Sequence, residues 1–283
     1  MTLELAHADC LEYLKSLEDE SVDLVVVDPP YFRIIKDAWD NQWASEADYL
    51  KWCADWTQEC FRVMKPDTCF YVWGTTKEDT FLRYKLDVLN QVPGAHYQNW
   101  IIWAYDWGGR TKKKFPRKHE DILMYSKGKD FTFNADDVRI PYKMQKNIRT
   151  EAMNNPRGKI PTDVWTKNNH TTSKEYAGWH STQKPIKLLE RIIQAHTSPG
   201  DIVLDCFSGA GSTMIACDNL ERSFRGCENY MLEITEVTDT TVGCRDCHPN
   251  GETISYARDE FVESFEFYMT EYRLPYDVGS EYV

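Results

Sequence analysis

Val22-Asp23-Leu24-Val25-Val26-Val27-Asp28-Pro29-Pro30-Tyr31 decides the fold. The run Val22–Val27 is short, apolar and rich in β-branched residues, the pattern of a strand buried on both faces. It stops at a carboxylate, two prolines and an aromatic ring. A second apolar run, residues 201–204, stops at Asp205-Cys206-Phe207-Ser208-Gly209-Ala210-Gly211-Ser212. This is a glycine-rich strand-to-helix turn of the kind that holds a nucleoside cofactor. It lacks the lysine of a phosphate loop, and its spacing is not the dinucleotide G-x-G-x-x-G.

Outward from these two runs, residues 1–31 read as a short strand, a helix over 10–17 and the quoted strand. Leu50, Cys53, Trp56, Cys60, Phe61 and Val63 recur at helical spacing and predict a helix over 48–64, stopped by a turn at Lys65-Pro66-Asp67. Strands are predicted at 69–73, 97–105 and 122–125, with a helix over 78–91. Regularity returns with a helix over 185–196, a strand over 202–204, a helix over 213–219 and a strand over 224–227. Strands alternating with helices predict an α/β fold, a doubly wound and mostly parallel sheet with helices on both faces. Residues 131–179 break the rhythm. They are polar, basic and rich in Asn, with Pro141, Pro156 and Pro161, and read as an inserted lobe.

The formal net charge of −12 argues at first against a nucleic-acid partner. Its distribution reverses that reading. Residues 228–283 hold thirteen acids against three bases, which is most of the excess. Arg110, Lys112, Lys113, Lys114, Arg117 and Lys118 cluster in the middle, followed by Arg139, Lys143, Lys146, Arg149, Arg157 and Lys159. A basic middle on an acidic body suits a phosphate-binding face, although a charge run alone is more often a solvated loop. No stretch of about 18 apolar residues predicts a membrane span. The start, Met1-Thr2-Leu3-Glu4-Leu5, does not read as a signal peptide. Nine scattered cysteines suggest reduced thiols and a cytoplasmic protein.

In this order, the tetrapeptide and the glycine turn resemble the permuted β class of bacterial and phage DNA amino-methyltransferases. The resemblance covers residues 1–228. Asp9 before a helix, Ser21-Val22-Asp23-Leu24, Phe61-Arg62-Val63-Met64-Lys65-Pro66, His119-Glu120, Tyr125-Ser126-Lys127, His180-Ser181-Thr182-Gln183-Lys184-Pro185 and Arg222-Ser223-Phe224-Arg225-Gly226-Cys227-Glu228 all look like family segments. The resemblance implies an enzyme that moves a methyl group from S-adenosylmethionine (SAM) to an exocyclic amine of a base flipped out of double-stranded DNA. Asp at the head of the tetrapeptide leans toward the adenine N6 amine. N4-cytosine transfer on the same scaffold is the alternative, and a non-catalytic DNA-binding regulator is the rival from another class.

Such an amine is a poor nucleophile, because its lone pair is delocalised into the ring. Asp28 and the Pro29 carbonyl would each accept one N–H, with Pro29 and Pro30 fixing the backbone, and Tyr31 would stack on the base. The resemblance assigns the cofactor to Asp9, Asp205, Phe207, Ser208, Gly209, Gly211, Ser212 and Glu228, with Glu228 on the ribose and Asp9 on the adenine edge, where Asp9 reads nearly as well as a helix N-cap. Thr182 and Lys184 are candidates for its carboxylate, or caps of the helix that follows. Arg110, Lys112, Lys113, Lys114, Arg117, Lys118, Lys143 and Arg149 are candidates for DNA. Trp39, Trp43, Trp103, Tyr105 and Trp107 are candidates for the base pocket, against the commoner reading of core aromatics.

Five units are expected: a catalytic half over 1–130, a target-recognition lobe over 131–179, a SAM half over 180–228, an inserted hairpin over 229–257, and a helix with an acidic tail over 258–283. The hairpin would carry Cys244-Arg245-Asp246-Cys247-His248 at its tip. This matches the c-type haem pattern in form, but nothing else suggests export. Zinc would need four ligands, and only Cys244, Cys247 and His248 lie together, so a metal-free hairpin is expected. The acidic arm suits contact with a second subunit, as in a homodimer, or with a host protein, and not contact with DNA. A cognate restriction enzyme, a phage role and an epigenetic role are all left open.

Overall fold

The computed structural model describes residues 1–36, 38–105, 110–142, 155–166 and 183–229, and the backbone of 232–237, 241–246 and 253–257. In chain order the elements are β1 (Leu3–His7), α1 (Cys10–Ser16), β2 (Val22–Val27), α2 (Glu46–Val63), β3 (Met64–Gly74), α3 (Thr80–Arg83), β4 (Ala95–Ala104), β5 (His119–Lys127), β6 (Val164–Thr166), α4 (Ile186–His196), β7 (Ile202–Asp205), α5 (Ser212–Asn219), β8 (Ser223–Glu228), β9 (Leu232–Val237), β10 (Thr241–Asp246) and β11 (Thr253–Ala257).

Eight strands form one sheet in the order β1-β8-β7-β2-β3-β5-β4-β6. Every neighbouring pair is parallel except the two made by β5, which alone runs backward. The expected doubly wound architecture follows from β2. Val22, Val25 and Val27 face one apolar cluster with α1 and α2, while Leu24 and Val26 face a second with α4 and α5. A strand buried on both faces has no polar side to show, hence its continuous apolar run.

Local signals set the helix starts. Asp9 caps α1 by accepting from the Leu11 and Glu12 amides, and Ser45 Oγ caps α2 through the Asp48 amide. The helix expected over 78–91 is a short α turn that widens into a π turn over Tyr84–Val88 and tightens into a 3-10 turn over Leu89–Gln91. The change of pitch leaves Phe81, Tyr84, Val88 and Leu89 all buried. Lys65-Pro66-Asp67, expected as a turn, lies inside the span of β3. There the pairing with β2 slips, from Val22 opposite Met64 to Leu24 opposite Cys69.

The described parts of 131–166 lie on the main sheet. β6 pairs with β4 and buries Trp165, and Asn134 bonds to the end of α4. Beyond β8 the expected hairpin is a three-stranded antiparallel meander, β11-β10-β9. The expected strand over 234–242 is split between β9 and β10. Cys244 lies in β10 and not at a tip, paired with Ile254 and Ile234. Cys247, His248 and the helix expected over 259–273 lie outside the described residues.

Candidate active site

β2 and β7 are parallel neighbours, with Val25 opposite Leu204. The chain therefore leaves both strands on the same rim, at the point where strand order reverses, the position at which open α/β sheets bind ligands. Both polar segments read from the sequence meet there.

Asp28 is held from two sides. Tyr31 Oη donates to Asp28 Oδ1 at 2.7 Å, and Lys184 Nζ pairs with Asp28 Oδ2. Lys184 comes from the segment just ahead of α4 and also lies 3.4 Å from Glu120 Oε2 on β5. Its side chain is only 9% exposed. Burial alone would lower its pKa, but the Asp28 and Glu120 charges outweigh burial and raise it, so the ammonium is retained. Burial raises Glu120, opposed by Lys184 and reinforced by Asp28. Tyr31 is pushed well above the usual phenol range by burial and by the Asp28 and Glu120 charges, so it stays a donor.

The loop after β2 is pinned from below. Asp40, itself buried, accepts the Tyr31 and Ile35 amides, and the Tyr49 hydroxyl donates to the Pro30 carbonyl at 3.0 Å. Burial, partly offset by those amide bonds, pushes Asp40 up to about 6. Pro29, Tyr31, Phe32 and Gly74 line one side of a pocket whose other side is Tyr49, Cys53, Phe81 and Tyr84.

At the glycine turn, Asp205 Oδ1 accepts the Phe207 amide and Oδ2 accepts the Thr213 hydroxyl. Burial pushes Asp205 up to about 7, against those two bonds and with Asp28 and Glu228 adding to the rise. Phe207 packs edge-on against Trp52 and Trp56 of α2. Gly209 and Gly211 have φ of 50° and 78°, the left-handed region that favours glycine. Glu228, at the end of β8, accepts the Gly209 amide at 2.7 Å. Asp9 follows β1, whose His7 is opposite Glu228, so all three acids sit on one rim.

Gly226 was not singled out by the sequence reading. A Cβ there would stand 2.5 Å from the Asp205 carbonyl and 2.6 Å from Ser208 Oγ, so β8 can approach the turn only without a side chain. Asp40 and the pairing of Lys184 have no signal in the sequence either, and Glu120, named there within a family segment, has no role assigned. Lys184 had been expected at the cofactor or as a cap, yet α4 starts at Pro185 with no side-chain cap. Thr182 lies outside the described residues.

The turn fits a nucleoside cofactor. Ser212 Oγ is buried and has no hydrogen-bond partner among the described residues, Gly209 and Gly211 carry no side chains, and an acid stands across from the turn on β8.

Of the basic candidates, Arg110, Lys112, Lys113 and Lys114 are exposed in the connection from β4 to β5. Arg117 is braced inward, donating to Thr76 Oγ1 at 2.6 Å and lying 3.7 Å from buried Asp121. Lys118 is half-buried, and its carbonyl accepts the Tyr105 amide. Lys143, Arg149 and Trp107 lie outside the described residues. Trp103 is core, and Trp43 packs on Tyr49 and Trp52.

The profile of the DNA methylase family, whose members act on adenine N6 or cytosine N4, matches residues 22–238. The chain belongs to this family. It is a SAM-dependent methyltransferase in fold and cofactor. Among its relatives, type II methyltransferase M.HpaI of Haemophilus parainfluenzae is 38% identical over 79% of this chain and 69% of its own length. DNA adenine methyltransferase YhdJ of Escherichia coli K12 is 34% identical over 79% and 77%. Among solved structures, PvuII DNA methyltransferase (cytosine-N4-specific) superposes with a TM-score of 0.64 at 19% identity, covering 81% of this chain and 82% of that one, a likeness of fold. The chain also superposes on the M1.HpyAVI–SAM complex, with a TM-score of 0.54 at 25% identity over 80% and 93%.

Proposed function

We propose that this chain methylates the exocyclic N6 amine of an adenine flipped out of duplex DNA. The observation that carries the reading is the Asp28 carboxylate, fixed through both oxygens beside the glycine turn. Asp28 accepts one N–H of the amine and the Pro29 carbonyl accepts the other, which draws the nitrogen toward a nucleophilic geometry. Tyr31 packs its ring on the base while its hydroxyl stays on Asp28. These groups are positioned before substrate arrives, so catalysis rests on orientation and on fixed acceptors.

SAM, when bound, supplies the electrophilic methyl group. Gly209 and Gly211 give it bare backbone, Ser208 and Ser212 give it hydroxyls, and Phe207 walls the turn. Glu228 takes the ribose, Asp205 faces the amino group, and Asp9 flanks the adenine edge. Arg110, Lys112, Lys113 and Lys114 reach DNA phosphates from the β4–β5 connection. YhdJ, named as an adenine enzyme, supports adenine over cytosine. The relatives named as type II methyltransferases support a modification role beside a restriction enzyme.

The test is duplex DNA incubated with labelled SAM, digested to nucleosides and resolved by mass. Label in N6-methyladenine is expected, and Asp28→Ala should bind SAM but transfer nothing. Label in N4-methylcytosine would overturn the base assignment. No label with SAM bound would overturn the catalytic reading in favour of a regulator.

A further inference from the structure

Methylation leaves the amine with one proton too many, and both Asp28 oxygens are already engaged. The Lys184 ammonium pairs with one, and the Tyr31 hydroxyl donates to the other. Glu120 is the remaining acceptor along this chain of contacts. Among the described residues its Oε2 is shielded from water and has no hydrogen bond of good geometry, only the loose ion pair with Lys184 Nζ at 3.4 Å. Its side chain as a whole is 25% exposed, which gives a proton a way out to solvent. A buried carboxylate oxygen held by so loose a contact is uncommon in a settled structure.

We propose that Glu120 is the proton exit of this site, receiving through Lys184 the proton that Asp28 takes from the methylated amine. This rests on the methyltransferase reading above. The amine N–H bond breaks and an O–H bond forms on Asp28. That proton passes to Lys184 Nζ as Nζ gives one of its own to Glu120. Asp28 and Lys184 end as they began, the amine is neutral, and Glu120 carries the proton until water removes it. Among the described residues, the charged and titratable groups facing Glu120 are Asp28 and Tyr31 after β2, Lys184 ahead of α4, Asp121 on β5 and Tyr105 after β4. Of these only Lys184 bridges it to the catalytic carboxylate.

The test compares wild-type protein with Glu120→Gln, which keeps shape and loses basicity, and Glu120→Asp, which keeps a carboxylate. SAM and duplex binding should stay within about twofold, while single-turnover transfer in Glu120→Gln falls about 100-fold, the scale of lost general-base assistance. The acid limb of the wild-type pH–rate profile should vanish in Glu120→Gln and return in Glu120→Asp. A second readout needs neither SAM nor DNA. Infrared difference titration of wild-type protein should show a carboxylic band above the ordinary Glu range, absent from Glu120→Gln. Wild-type rate with an unchanged limb in Glu120→Gln would overturn the proposal, and so would a band titrating in the ordinary range. If wild-type protein methylates no duplex, the functional reading fails instead, and the infrared titration still reports on Glu120.

Discussion

Asp40 holds the amide of Tyr31 at 2.7 Å, and its second oxygen holds the amide of Ile35 at 3.1 Å. A buried carboxylate thus fixes the turn that follows Asp28, the residue proposed to engage the amine. Asp40→Ala leaves both amides without a partner and is expected to destabilise the fold by about 1–3 kcal/mol. Denaturant unfolding checks that. Single-turnover transfer should fall much more than SAM affinity, since the glycine turn does not depend on this clamp. Equal losses in both would mean that Asp40 supports the whole rim.

Gly226 predicts a sharper failure. In Gly226→Ala the new methyl meets the Asp205 carbonyl and Ser208 Oγ at about 2.5 Å, and Phe224 on the other side. Backbone must move, and overpacking of this kind costs about 1–3 kcal/mol. SAM affinity, read by calorimetry, should drop at least tenfold while the β3–β5–β4 side of the sheet stays intact. Wild-type affinity would show that the turn can shift without loss.

His196 gives a pH prediction. It is buried between β3 and the 131–134 segment, with Nδ1 donating to the Thr132 carbonyl at 2.6 Å and Nε2 accepting from the Tyr71 hydroxyl at 2.8 Å. Burial lowers its pKa from 6.5 to about 4, only partly opposed by the bond to Thr132. The folded state therefore binds fewer protons than the unfolded one. Its stabilising contribution is full above pH 6.5 and is lost as pH falls through about 4, a loss on the order of 3 kcal/mol. Unfolding free energies of wild type and His196→Gln should converge as pH drops across this window. A constant gap would mean that His196 is not held neutral.

Lys112, Lys113 and Lys114 predict a salt dependence. If they meet phosphates, each Lys→Ala change lowers the slope of log Kobs against log salt by about 0.9 and weakens all duplexes alike. Filter binding across a salt series checks it. Unchanged slopes would remove this loop from the DNA interface.

The parts of the site legible in the sequence are those whose signal is local. Asp28-Pro29-Pro30-Tyr31 and the glycine turn each fit within a few residues of a strand end, so pattern and chemistry coincide. The partners that tune them are distant in the chain. Lys184 reaches Asp28 only because α4 packs behind β2, and Glu120 faces it only because β5 is reversed beside β3. Neither pairing leaves a spacing to read. Nothing in the spacing around Asp40 marks it, and its worth appears only once burial is known. The turn expected at Lys65-Pro66-Asp67 falls where β3 slips its register against β2, between Met64 opposite Val22 and Cys69 opposite Leu24, so the irregularity is taken up inside the strand's span.

The backward course of β5 has one more consequence. Because it runs against β4, the chain leaves one strand and enters the next on the same rim, with the Tyr105 amide closing on the Lys118 carbonyl at 2.9 Å. A parallel strand would need a crossover to the opposite rim. The connection between 105 and 118 therefore starts and ends on the rim where Asp28 lies, outside the paired register of β4 and β5. Residues can be added, lost or exchanged there without disturbing the sheet. In this scaffold the length of that connection and the geometry of the sheet can vary separately.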